Sequence, residues 1–331
     1  MSDFPFLQFP RRNAFNTTES LVHYLKPVPK NDAAFSSSGD APPMKVLGTV
    51  NNHARFAFWT WIGRMLQSMP EFPTKHRWEW VWFRRRNKDL IERRCLPGGA
   101  RVDCTLSDFY ESWIWMRLSD KAELRVLRSL LQVGGTFVDV GAHIGVWSLE
   151  AGSAVGQGGQ VIAFEPHPQT YAKLARNLNL NAALTHWHPF EAAVSSEPGQ
   201  ANFELVEISA CSRIVTHSDE KTIRIPVMAL DEVLDGKPCD GIKIDVEGHE
   251  AAVIAGCTKT LTGCHPWICV ELNNRYAKVS ALGEWDVHQK LKNLGYKCWL
   301  FEQAEVANPS CCLPENYCTT DYVNLFYRWV R

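Results

Sequence analysis

From Thr136 to the C-terminus, short runs rich in Val, Ile and Phe alternate with longer stretches of helical periodicity. TFVDV, QVIAFEP, THWHPFEAAV, GIKIDVEG and WICVEL read as strands. GVWSLEAGSAV, PQTYAKLARNLNLN, EAAVIAGCTKTLTG and EWDVHQKLKNLG read as helices. ANFELVE and TIRIPVMAL form an antiparallel excursion, and YKCWLFE and YVNLFYRWV close the chain as two strands. Strands separated by helices are joined by right-handed crossovers, which gives an α/β fold with a mainly parallel sheet.

The preceding residues follow no such pattern. Residues 1–45 form an irregular arm rich in Pro, Ser, Asp and Gly. Residues 46–107 form a Trp-rich accessory or lid subdomain, and residues 108–331 the catalytic domain. Within the accessory region, Asn52 caps a helix whose residues Phe56 to Leu66 are apolar enough to need burial. In RWEWVWFRRR, a strand would place Trp78, Trp80 and Trp82 on one face, with a helix as the alternative. LPGGARVDCTLS reads as a turn entering a strand. Leu124, Leu127, Leu130 and Leu131 share the face of a helix between Ser119 and Leu131.

Bulk properties bound the function. The net charge of -1 gives no sign of a nucleic-acid binder. No apolar run approaches the roughly 20 residues of a membrane span. The N-terminal residues lack the basic head and apolar core of a secretory signal, so a cytoplasmic location is the expectation. The 11 cysteines include no C-x-x-C pair, which favours reduced thiols over structural zinc. From Lys75 to Arg94 there are 8 Lys or Arg against 3 acids, interleaved with Trp. The preferred reading is an accessory layer with Trp packed inward and arginines outside, ahead of a substrate lid.

In an open parallel sheet, ligands bind beyond the carboxyl ends of the strands. The residues there are acidic: Asp139, Glu165, Glu191, Asp245, Glu247 and Glu271. After the first strand, Gly141 and Gly145 stand four apart, and the helix beginning near Ile144 offers N–H groups to an anion. A dinucleotide turn reads G-x-G-x-x-G. Here His143 takes the place of the second glycine, which suits a carboxylate better than a pyrophosphate. Glu165 lies about 20 residues on and can accept both hydroxyls of a ribose; Pro166 then stops its strand. Together these features point to S-adenosylmethionine.

IKIDVEGHE carries the second half of the chemistry. Methyl transfer is a direct in-line displacement that needs a base for the acceptor's proton, and Asp245, Glu247 and His249 are the candidates. Glu250 reads equally well as a helix cap. With Glu271, these side chains are also conceivable ligands for a divalent metal, but spacing does not make them converge and no metal is favoured.

FYESWIW, FVDVGAHIGVWSL, VIAFEPHPQTYAKLARNLNLN, AAVSSEPGQANF, IKIDVEGHEAAVIAG and WICVEL together resemble the FkbM-type S-adenosylmethionine-dependent methyltransferases. The resemblance covers roughly Asp108 to Leu272. It implies the class I methyltransferase sheet, Rossmann-like, with seven mostly parallel strands and the last antiparallel. It also implies O-methylation of a sugar or natural-product hydroxyl. By position, Asp139, Gly141, Ala142, His143 and Gly145 would form the methionine side of the cofactor pocket. Glu165 would bind the ribose, and Glu191, Ala192 and Ala193 would hold the adenine. Glu111 would face the methionine end, and Asp245, Glu247 and His249 the methyl group. His143 replaces the Asn usual in GANIG, and His249 the Ala usual in EGAE. The expected partner is a small hydroxylated acceptor, with no nucleic acid and no membrane span; the aromatic arm leaves room for a homodimer. The alternatives are a nicotinamide-dependent oxidoreductase, disfavoured by the missing glycine, and a non-catalytic cofactor-binding protein.

Overall fold

Period-two alternation of side chains builds the central sheet and decides what each face carries. The computed structural model describes residues 48–69, 78–79, 81–82, 90–116, 121–206, 211–306, 312–319 and 322–330. Seven of its strands form one sheet: β3 (Thr136–Val140), β4 (Gln160–Phe164), β5 (His186–Phe190), β10 (Gly241–Ile244), β11 (Trp267–Asn273), β12 (Tyr296–Leu300) and β13 (Tyr322–Trp329). Their order is β12-β13-β11-β10-β3-β4-β5. All pairs are parallel except those of β13, which runs antiparallel to both β11 and β12. This is the seven-strand arrangement expected above. After β3 the chain winds outward through β4 and β5, then returns to β10 on the other side of β3. The switch point lies between β3 and β10, and it opens a crevice at their carboxyl ends.

On one face, Val138, Val140, Ile242, Ile244, Ile268 and Val270 join a single buried cluster. The helices Leu230–Leu234, Glu250–Ala255, Thr258–Gly263 and Asp286–Asn293 cover it. On the other face, Phe137 and Cys269 pack with Leu149, Leu127 and Phe326. Two residues further along these strands, the same face carries Asp139, Lys243 and Glu271 instead of apolar groups. That switch from apolar to charged marks where the core ends and the crevice begins.

The remaining strands make two smaller sheets. The expected antiparallel excursion is β7 (Gly199–Glu204) against β9 (Thr222–Met228), flanked by β6 (Ala193–Val194) and β8 (Arg213–Val215). A hairpin, β1 (Ile91–Cys95) and β2 (Arg101–Thr105), lies ahead of the main sheet. Its edge is closed by a helix rather than a strand. Asn177 on the Pro168–Leu180 helix and Asn181, which caps its C-terminus, accept the N–H groups of Asp103 and Arg101 at 3.0 and 2.8 Å. Glu150, fully buried, ties the hairpin turn to the core by accepting from Gly98 N–H and from Arg128.

Local readings diverge at five places. Trp78, Glu79, Val81 and Trp82 are helical, not extended. Trp82 is buried and stacks on Trp115 at 5.0 Å, whereas Trp78 is exposed; Trp80 lies outside the described residues. The helix Gly48–Ser68 forms, but Phe58 and Trp61 remain half exposed and burial falls on Gly63 and Leu66. β1 was not expected, because Glu92, Arg93 and Arg94 hide its alternation. THWHPFEAAV divides into β5 and β6, which belong to different sheets. EAAVIAGCTKTLTG is two helices rather than one, interrupted at Gly256 and Cys257. Gly256 backs onto the carbonyl of Ser195: a Cβ there would lie 2.0 Å from that oxygen.

This contact sets a test. Gly256→Ala forces the helix off β6 and is expected to destabilise the fold by about 1–3 kcal/mol. Gly263→Ala, with open space around it, is expected to change stability by less than about 1 kcal/mol. Urea unfolding midpoints of the two variants check the contrast.

Candidate active site

The crevice at the switch point is a cavity of about 210 Å³, many times the ~10–15 Å³ one water needs. Its floor is the turn after β3. Gly141 and Ala142 both donate N–H to the carbonyl of Phe164, folding the turn over the end of β4. Gly141 has φ +81°, and a Cβ there would lie 1.9 Å from the carbonyl oxygen of Asp245, so only glycine fits. His143 also takes a positive φ, 51°, and sits half-buried in an edge-on contact with Tyr110. Burial pushes its pKa down to about 4, so it is neutral at pH 7.

One end of the cavity is apolar, walled by Phe164, Pro166, Ala192, Ala193 and Val194. Glu165 stands at its rim. The backbone N–H groups of His143 and His167 donate to its two oxygens at 2.8 and 2.9 Å and fix the carboxylate in place. Burial still pushes its pKa up to about 7.

The other end is crowded with acids. Lys243 reaches Asp245 at 3.1 Å and stands 3.9 Å from Asp139 on β3, with its ammonium 5.4 Å from the ring of Trp147. Burial opposes its charge, but the two carboxylates outweigh that and hold the ammonium above its ordinary pKa. Asp139 is wholly buried behind the wall. One oxygen accepts from Ser148 at 2.6 Å; the other accepts no hydrogen bond. For Asp245, burial is outweighed by Lys243 and by a hydrogen bond with Glu271, so it stays ionised below the ordinary range. Glu271 carries the opposite shift. Burial, Asp245 and Glu247 push it well above that range.

Glu247 has φ +52°, uncommon for a side chain of its size, and this turns it into the cavity. Asn273, at the end of β11, donates Nδ2–H to its Oε2 at 3.0 Å and spends its other end capping the following helix. Burial, with Asp245 and Glu250 nearby, pushes Glu247 up to about 8. His249 lines the same wall and is held at 2.9 Å by Ser195 Oγ; burial keeps it neutral.

Thus Gly141, Ala142, His143, Glu165, Pro166, Ala192, Ala193, Asp245, Glu247 and His249 meet at one cavity. The other named residues stand outside it. Asp139 supports the wall from behind. Gly145 caps the Val146–Val155 helix against Leu174. Glu191 is exposed beyond the rim. Glu111 is buried and paired with Lys173 and the Thr105 N–H, so it anchors the Phe109–Trp115 helix to β2 and to the Pro168–Leu180 helix. Glu250 turns back onto the Gly248 N–H and starts its own helix. Among the described residues, no three His, Cys, Asp or Glu side chains are arranged to hold a metal ion.

Several lining residues were not anticipated. Lys243 carried a signal, a lysine inside a strand otherwise as apolar as GIKI. Phe109 and Tyr110 come from the helix ahead of the sheet, Phe203 and Ile214 from the excursion, and Tyr322 and Asn324 from β13. Nothing local in the sequence joins these segments.

Residues 139–298 match the methyltransferase FkbM domain model. All of the catalytic candidates lie within the matched stretch. The chain is 30% identical over 169 residues to hexuronic acid methyltransferase AglP of Haloferax volcanii, covering 48% of this chain and 66% of that protein. It is 31% identical over 153 residues to methyltransferase sdnD of Sordaria araneosa, covering 36% of this chain and 59% of that protein. The chain thus spans just under two thirds of one relative and less of the other. Among solved structures, the methyltransferase FkbM from Methylobacillus flagellatus is 14% identical, covering 83% of this chain and 60% of that chain with a TM-score of 0.38. No helix among the described residues is long and apolar enough to cross a membrane.

The raised carboxyl groups make stability depend on pH. Folded Glu165 and Glu247 bind a proton up to about pH 7 and 8, whereas unfolded they release it near 4.5. Above pH 6.5 the native state therefore holds more protons, and stability falls as pH rises. The neutral histidines act in the opposite sense, but only below about pH 6.5; Asp245 titrates lower still. Melting temperature is expected to decline between pH 6.5 and 8.5, and to decline less in Glu247→Gln.

Proposed function

We propose that the protein is an S-adenosylmethionine-dependent methyltransferase that O-methylates a hydroxyl on a sugar or natural-product small molecule. The FkbM domain supports methyl transfer, and the relative named a hexuronic acid methyltransferase supports a sugar-type acceptor. The residues present fit the cofactor. Ala192, Ala193 and Val194 give one end of the cavity an apolar lining suited to a purine. The fixed Glu165 carboxylate keeps lone pairs for two vicinal hydroxyls. The acids at the other end suit a sulfonium.

When bound, S-adenosylmethionine supplies a methyl group activated by positive sulfur. The protein's task is then to hold a hydroxyl in line and to take its proton. Glu247 carries this reading. It projects into the acid end of the cavity, Asn273 fixes its carboxyl, and its pKa near 8 suits a base working around neutral pH. Asp245 is a weaker base, since Lys243 and Glu271 both stabilise its charge. His249 serves by joining the Glu250–Ala255 helix to Ser195. Phe109, Tyr110 and Tyr322 offer aromatic surface to the C–H faces of a sugar ring. The nicotinamide alternative is disfavoured by His143, whose half-buried side chain lines the cavity at the turn where a pyrophosphate would approach.

Glu165→Gln is expected to raise the Kd for S-adenosylhomocysteine at least tenfold, since hydrogen bonds to a charged acceptor contribute about 1.5–3 kcal/mol each. Glu247→Gln should leave that Kd within threefold and lower turnover by about 10²–10⁴. Calorimetry and transfer of labelled methyl to host extracts measure the two effects. Unchanged turnover in Glu247→Gln removes its role as base, and methyl transfer to no extract component favours a non-catalytic binder.

A further inference from the structure

Four carboxyl groups and one ammonium stand in a row across three strands. The register between β10 and β11 pairs Ile244 with Val270, which brings Asp245 level with Glu271 on the same face. On the other side, Lys243 is paired with Asp139. Asn273, two residues beyond Glu271 and about 7 Å along the strand, holds Glu247 over the same face. The order is therefore Glu247, Glu271, Asp245, Lys243, Asp139. Among the described lining residues, Lys243 is the one side chain that carries a positive charge at neutral pH.

With every carboxyl ionised, this row would hold a net charge of three negatives beside one cavity. A low-dielectric wall does not tolerate that without protons or a bound cation. Asp245 and Glu271 stand level on neighbouring strands of one buried wall, and burial together with the Asp245 charge pushes Glu271 well above the ordinary carboxyl range, so the pair holds one proton.

We propose that the Asp245–Glu271 pair is the element that distinguishes the charged sulfonium cofactor from its neutral thioether product. This rests on the reading of the cavity as an S-adenosylmethionine site. The two ligands share the adenosine and the amino-acid tail and differ by one methyl and one positive charge at sulfur. The incoming positive charge takes over the compensation that the shared proton provides, and the proton leaves. The cycle balances. In the transfer step an acceptor oxygen lone pair forms the new O–C bond, and the C–S pair goes to sulfur. The O–H proton passes to Glu247. The positive charge at sulfur has then gone, and the proton moves on to the Asp245–Glu271 pair, restoring the charge of the empty site. Glu271 is thus the store for the acceptor's proton.

Other titratable groups face the pair and must be weighed. Lys243 and Glu247 flank it, and His143 and His249 are neutral by burial. Glu250 is engaged by its own helix. The thiols of Cys211 and Cys269 are held well above neutral pH. Arg275, outside the cavity, acts on Glu247 from the rim. Among these, Glu247 is pushed up to about 8, and it changes little between the two ligands before the acceptor arrives.

The test is calorimetric titration of the full chain with each ligand, without acceptor, in two buffers of different ionisation enthalpy near pH 7. Wild type is expected to release about one proton more on binding S-adenosylmethionine than on binding S-adenosylhomocysteine. The ratio of the two Kd values should then move with pH, favouring the sulfonium at higher pH by up to tenfold per unit, the limit for one proton. Glu271→Gln should abolish the difference in proton count while still binding the thioether. Equal counts in wild type overturn the proposal and leave the cofactor reading standing. Failure of both ligands to bind overturns both. If Glu271→Gln does not fold, the wild-type comparison decides alone.

Discussion

Lys243 is held in a buried wall by two carboxylates on different strands, and the geometry of the site follows from that arrangement. β10 lies next to β3, so a lysine on β10 can lean toward Asp139 while also reaching Asp245 just past the end of its own strand. An ammonium so placed locks the carboxyl ends of the two central strands together at the switch point. It also fixes which acid stays ionised. Asp245 keeps its charge because Lys243 is there, and Glu271 keeps its proton because Asp245 is charged. Removing one partner would leave the others buried and uncompensated, which is the costly way to break such an ensemble.

The parts of the fold set by local pattern were legible from the sequence. β3, β4, β10 and β11 show in their apolar runs, and Gly141 and Glu165 could be assigned to a ligand turn and a strand end. The pattern of strands and helices gave a mainly parallel sheet, and the seven-strand arrangement with an antiparallel last strand came from the family resemblance. What could not be read was whatever depends on contacts between distant segments. The carboxyl of Glu111 had the right residue type and sequence position for the site, but Lys173 and Thr105 hold it elsewhere. Gly145 looked like part of the ligand turn, yet its close neighbour is Leu174. β1 escaped notice because three charged residues occupy it, and its register exists only against β2.

The N-terminal region adds a wall as well as bulk. Trp82, Leu96, Val102 and Ile114 share one apolar cluster with Phe137 and Leu149 of the central sheet layer. That continuity carries the Phe109–Trp115 helix to the mouth of the cavity, where Phe109 and Tyr110 close one side. The pairing of Glu111 with Lys173 and of Asp103 with Arg93 and Arg176 keeps this layer in register with the sheet. The acceptor-facing surface is therefore assembled from three sources: this helix, the excursion between β6 and β9, and the final strand.

The position of β13 has a consequence for how the molecule comes into being. β13 sits between β11 and β12, although both precede it in the chain. Until it arrives, those two strands present unpaired backbone edges to whatever else is nearby. Tyr322 and Asn324 come with it, so the pocket lacks two of its lining side chains until this insertion. On a ribosome, where strands emerge in order, the protein would pass through a sticky and incomplete stage, and ligand could assist folding only after the closing strand had slotted home.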